Sequence, residues 1–192
     1  MPEFWMHLLV PTEAPLRVLD EFLRETWLEC CGHLSKFTIG RTDYELNTGG
    51  VDAMWPMMFG RRAARSMDVP MVDVLRPGEK FFHEYDFGTT TSLALHVQAS
   101  TEAVMPRDGV RLLARNHLPA ITCTECGAAA TQVCTDCLND GTGWLCAGHA
   151  RQHECDSEML LPVVNSPRLG QCGYTGPVVR RGKKGEWRPT AP

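Results

Sequence analysis

The chain has 192 residues, 22% of them charged, with 23 acidic and 19 basic side chains and a net charge of −4. That length allows one large domain or a medium domain with a smaller companion. The acidic balance excludes a broad phosphate-binding face, and no apolar run approaches the roughly 20 residues that a membrane-spanning helix requires.

Residues 4–10 alternate, with Phe4, Met6, Leu8 and Val10 on one face and Trp5, His7 and Leu9 on the other. That two-residue period predicts a strand. From about residue 15 to residue 31, Leu16, Leu19, Leu23 and Trp27, joined by Phe22 and Leu28, recur at helical spacing, and Gly32 suits the position just past a helix end. Phe37 and Ile39 alternate toward a turn at Gly40-Arg41-Thr42-Asp43, and Tyr44 and Leu46 resume the pattern beyond it. The stretch from Gly49-Gly50 through Trp55-Pro56 to Arg62 reads as a loop. Met71, Val72 and Leu75 predict a short helix before Pro77-Gly78, and strands over 80–87 and 91–99 flank a turn at Gly88. The expected fold class is therefore α+β, a small antiparallel sheet with an amphipathic helix, forming a first domain over residues 1–118.

Strand periodicity over 80–87 sets Phe81, His83, Tyr85 and Phe87 on one face and Lys80, Phe82, Glu84 and Asp86 on the other. His83 then reads as a hydrogen-bonded core histidine, and Glu84 and Asp86 as a solvated face. Cys30 and Cys31 close the helix and read as small packing residues. Two carboxylates spaced two apart could do acid–base work. No nucleophile, base and charge-stabilising group come together around Glu84, Asp86 or His33, however, so an enzyme is not expected.

The stretch Phe81-Phe82-His83-Glu84-Tyr85-Asp86-Phe87-Gly88, preceded by Val72-Asp73-Val74-Leu75-Arg76-Pro77-Gly78, resembles the signature of the plasmid pRiA ORF-three-like family. Members of that family are often labelled insertion-sequence passenger or resolvase-like proteins. The helix over 16–28 and the following His33-Leu34-Ser35-Lys36-Phe37 are similar to the same family's helix and strand. The resemblance covers roughly residues 4–99 and implies a small α+β domain of unassigned biochemical activity. Two positions depart from the pattern. Thr89-Thr90-Thr91-Ser92-Leu93 replaces a polar run, and Ser35 stands where a second histidine is usual.

Between residues 123 and 155 lie four tight pairs: Cys123-x-x-Cys126, Cys134-x-x-Cys137, Cys146-x-x-His149 and His153-x-Cys155. A C-x-x-C turn brings two thiolates to the separation that tetrahedral Zn²⁺ needs, so eight ligands predict two zinc ions. Few large apolar residues occur here (Leu138, Trp144 and Leu145), and metal bonds must replace the missing core of a module over 119–176. Four protein ligands per ion leave no position for water or substrate, which makes both zincs structural. The pairs could be shared sequentially, with both C-x-x-C pairs on one ion, or interleaved. The order resembles B-box and related cross-brace fingers, and that resemblance implies the interleaved set. Cys123, Cys126, Cys146 and His149 would then hold one ion, and Cys134, Cys137, His153 and Cys155 the other. Cys172 is left over; it could serve as a substitute ligand, but it reads as a packing residue in a turn.

Arg180, Arg181, Lys183, Lys184 and Arg188 oppose Glu186 in residues 177–192, which read as a disordered basic tail. The tail contributes +4, so the folded part stands at −8. Met1-Pro2-Glu3 begins with an acid rather than a basic segment before an apolar run, so the expected compartment is reducing and cytoplasmic, where clustered cysteines bind metal more often than they bridge. Together these features predict a non-enzymatic zinc-binding adaptor for a protein partner. The alternative is a nucleic-acid-associated protein using the tail and the zinc module.

Overall fold

The computed structural model describes residues 4–46, 64–104 and 109–178, so the expected loop around Trp55-Pro56 and residues 179–192 of the basic tail lie outside the described residues. In chain order the first body comprises β1 (Met6–Leu9), α1 (Leu16–Leu23), a wide turn over Arg24–Leu28, β2 (Ser35–Ile39), β3 (Thr42–Glu45), β4 (Arg65–Ser66), α2 (Met71–Val74), β5 (Lys80–Tyr85), β6 (Thr91–His96) and β7 (Arg111–Arg115). A five-stranded sheet has the order β4-β3-β2-β5-β6, and β1 and β7 form a separate antiparallel pair. The class is α+β, as its alternating and helical apolar spacings imply.

The helical stripe buries as the spacing requires: Leu16, Leu19, Leu23 and Trp27 all lie in the core with Phe37, Ile39, Phe81, Tyr85 and Leu93. The helix does not run on regularly to Cys31. After Leu23 it widens, with the Glu29 N–H donating to the Arg24 carbonyl at 2.7 Å, and Arg24 Nε holds the Glu29 carboxylate at 2.8 Å. Gly40, at φ 58, makes the β2–β3 turn. Strand β1 is shorter than the seven alternating residues suggest. Its register against β7 shifts between His7 and Leu8, so strict alternation is lost at that irregularity.

On β5, Phe81, His83 and Tyr85 face inward. His83 is fully buried beneath Phe37, at 4.7 Å between rings, and its Nε2 lies 2.7 Å from the equally buried Asp20 Oδ1. The core-histidine reading holds, with its partner supplied by the polar side of α1. Replacing Asp20 with Ala strands that ring nitrogen in the core, which should cost about 1–3 kcal/mol. Urea unfolding of Asp20→Ala checks it, and a loss under about 0.5 kcal/mol would show that the pair is not part of the core's stability.

Asp86 corrects the solvated-face expectation. Strand β5 stops at Tyr85 because Asp86 turns to φ 62, which carries its carboxylate inward while Phe87 becomes 47% exposed. Glu84 does stay on the outer face, where it meets Lys36 Nζ at 3.1 Å.

The smaller body contains β8 (Gln132–Cys134), a 3₁₀ turn (Cys137–Asp140), β9 (Trp144–Leu145), α3 (Ala147–Ala150), a second 3₁₀ turn (Ser157–Met159) and β10 (Leu160–Pro162), with sheet order β10-β8-β9. Its apolar clusters are small: Val133, Leu161 and Leu169 in one, Cys134, Leu145 and Ala150 in the other. Residues 163–178 then return to the first body. Ser166 Oγ donates to the Trp27 carbonyl at 2.6 Å, Tyr174 Oη to the Thr26 carbonyl at 3.4 Å, and the Val178 N–H to the Glu25 carbonyl at 2.9 Å. Pro177 and Val178 therefore belong to this return segment rather than to a free tail.

Candidate metal centres

The first C-x-x-C turn is closed by the Gly127 N–H donating to the Cys123 carbonyl at 2.9 Å. Cys146 precedes α3, and one helical turn presents His149 beside it, with Nδ1 3.5 Å from Cys146 Sγ and 3.3 Å from Cys123 Sγ. Cys126 Sγ lies 3.9 Å from Cys146 Sγ. The second set interleaves with the first. Cys137 Sγ is 3.6 Å from Cys155 Sγ and 3.5 Å from His153 Nε2, and Cys134 completes the group. Gly143, at φ 90, lets the chain pass close against the second set, since a Cβ there would come within 3.0 Å of the Cys134 carbonyl and the Cys137 side chain.

The pairing is interleaved, first with third and second with fourth, and within each quartet all four ligand atoms lie within 4.8 Å of one another. A tetrahedron with Zn–S near 2.3 Å and Zn–N near 2.0–2.1 Å has S···S edges of about 3.8 Å and S···N edges of about 3.5 Å. The observed separations of 3.3–3.9 Å match those edges. They are far from the ~2.05 Å of a disulfide, and all nine cysteines are free. The sequential pairing is not what the fold brings together.

Thiol ionisation is uneven within each quartet. Burial opposes ionisation of the Cys123 thiol, yet the N–H groups of Cys146, Glu125 and Cys126 and the His149 ring bring it down to about 6. Burial likewise opposes Cys134, which the Cys137 N–H, the His153 ring and the Asp136 N–H lower to about 7. Cys137, crowded by the thiols of Cys155 and Cys134, is pushed up to about 12. In the second quartet one thiolate thus forms readily and resists a second beside it, a conflict that a divalent cation removes.

A third group was not expected. Cys30, Cys31, His33 and Cys172 also place four ligand atoms within 4.8 Å of one another, although Cys172 arrives from the return segment. Cys31 and Cys172 are both exposed, which corrects the reading of these cysteines as packing residues. Among the described residues no helix is long and apolar enough to cross a membrane. No protein-family description matches the chain, and no curated protein or solved structure shows significant similarity to it.

Proposed function

We propose that this chain is a non-enzymatic adaptor whose cross-brace module is held by two structural zinc ions. Cys123, Cys126, Cys146 and His149 hold one ion, and Cys134, Cys137, His153 and Cys155 the other. The observation that carries the reading is closure: each quartet fills a tetrahedral shell with protein atoms, so the metal stiffens a surface and has no position for substrate. Soft thiolate with imidazole, in tetrahedral array, favours zinc over harder divalent ions.

A protein partner is supported by the other large feature of the surface. A cleft of about 850 Å³ separates β1 from β6, which is an edge strand of the large sheet. Trp5, Leu9, Val72, Leu95 and Val97 contribute to its walls, and Arg76 is the only Lys or Arg among the described lining residues. An apolar cleft with a single guanidinium suits an extended peptide better than a phosphate backbone.

The test is affinity capture from native lysate with three baits: the parent chain, Cys134→Ser and Glu84→Gln. A protein recovered by the parent and by Glu84→Gln, resistant to nuclease and lost with Cys134→Ser, as a partner spanning both the cleft and the zinc module would be, is the expected result. Recovery abolished by nuclease would overturn the reading in favour of a nucleic-acid-associated protein. A turnover eliminated by Glu84→Gln would overturn the non-enzymatic assignment.

A further inference from the structure

We infer that Cys30, Cys31, His33 and Cys172 form a third zinc centre, a closed Cys₃His site that ties the return segment to the first body.

The ligand geometry repeats that of the cross-brace quartets. Cys31 Sγ lies 3.0 Å from His33 Nε2 and 3.7 Å from Cys172 Sγ, while His33 Nε2 lies 3.3 Å from Cys172 Sγ and Cys30 Sγ 3.4 Å from Cys31 Sγ. These are close to the S···S and S···N edges of about 3.8 and 3.5 Å around a tetrahedral zinc. Four ligand atoms from two segments 139 residues apart converge on one point, which packing alone does not require of exposed thiols.

The surroundings hold those ligands in place. Gly32, at φ 78, reverses the chain between Cys31 and His33, and its N–H donates to Glu29 Oε1 at 2.6 Å. Tyr85 Oη accepts the N–H groups of Cys30 at 3.4 Å and His33 at 3.3 Å, and the Tyr85 ring meets the His33 ring edge-on. Arg168 Nη2 reaches Cys30 Sγ at 3.6 Å. Three thiolates, one imidazole and Zn²⁺ leave a net charge of −1, and a guanidinium against one sulfur is the outer partner such a centre needs. Cys172 itself sits at φ 44, an uncommon conformation for a residue other than Gly, Asn or Asp, and that turn is what aims its sulfur at the other three.

The rival chemistry for the same atoms is a Cys31–Cys172 disulfide, and metal content separates the two. Full-length protein purified under reducing conditions with zinc and without chelator should carry about three zincs, one for each quartet. Cys172→Ser and His33→Asn should each carry about two and keep their near-ultraviolet circular dichroism. Cys134→Ser should also fall to about two, and Cys134→Ser combined with Cys172→Ser to about one. With cobalt(II) in place of zinc, the visible absorption of tetrahedral Co(II)–thiolate should drop by about a third in Cys172→Ser. Two zincs in the parent chain that remain two in both Cys172→Ser and His33→Asn would overturn the third centre while leaving the cross-brace intact. So would a parent mass 2 Da low that locates a Cys31–Cys172 bridge. A parent whose zinc content is unmoved by Cys134→Ser would instead overturn the cross-brace reading.

Discussion

Removing zinc from the full chain is expected to unfold residues 122–162 and to leave the five-stranded sheet folded. Among the described residues the smaller body's two apolar clusters hold three buried residues each, one of them Leu169 from the return segment, whereas the first body buries fifteen in one core. Structural zinc in finger peptides contributes about 10–16 kcal/mol at neutral pH, more than so small a core supplies, so the apo module has no alternative source of order. Limited proteolysis after chelation should therefore open sites at Leu138, Leu145 and Arg151, while a fragment beginning near residue 4 and ending before residue 122 resists. The return segment should be slower to cleave than the module, since Ser166, Arg168 and Tyr174 bind it to the first body through hydrogen bonds that involve no metal. Equal protection of Leu138 and Arg151 before and after chelation would overturn this, as would simultaneous loss of the whole chain.

Where one rule governed a residue, the sequence was readable. Leu16, Leu19, Leu23 and Trp27 declared a helix face because burial against a single core demands helical recurrence, and all four are buried. The β2–β3 hairpin was legible from Gly40 and the alternation on either side of it. The pairing of β7 with β1 was not, because partners about a hundred residues apart leave no local periodic mark of their choice. Asp86 misled for a sharper reason. Period-two counting assumes extended backbone throughout, and a single residue at φ 62 reverses which way its side chain points.

The candidate metal ligands divide in the same way. Eight of them advertise themselves through tight local pairs, since each pair must arrive at its ion from one turn of chain. The interleaving of the pairs followed from the cross-brace resemblance, because spacing alone left two pairings open. Cys30, Cys31 and His33 are also a local run, and with Cys172 they are the cysteines and a nearby histidine that remain once the quartets are filled. Their convergence stayed hidden because the fourth ligand comes from a segment whose return across the molecule is fixed by a buried arginine.

That arginine carries the second large expected effect. Arg168 is fully buried and spreads its guanidinium over four partners: the Thr89 carbonyl at 2.8 Å, Thr91 Oγ1 at 3.0 Å, Asp86 Oδ2 at 2.5 Å and Cys30 Sγ. It also lies 4.9 Å over the Tyr85 ring. Arg168 is the chief reason the Asp86 carboxyl is held below the ordinary carboxylate range, with the N–H groups of Gly88 and Thr89 assisting against desolvation. Arg168→Met keeps much of the volume and removes the charge, leaving the Asp86 carboxylate to the Gly88 and Thr89 N–H groups and the His33 ring beside it. Breaking such a pair from one side is strongly destabilising against the roughly 5–15 kcal/mol that holds a domain together. Arg168→Lys should recover little, because an ammonium cannot serve the Thr89 carbonyl, Thr91 and Asp86 in one plane. Adding Asp86→Asn to Arg168→Met should restore part of the loss, since it removes the stranded charge and asparagine tolerates φ 62. Thermal unfolding should accordingly rank the parent first, the double variant second and Arg168→Met last. An Arg168→Met chain within about 1 kcal/mol of the parent would mean that the ion pair is not what fastens the return segment to the sheet.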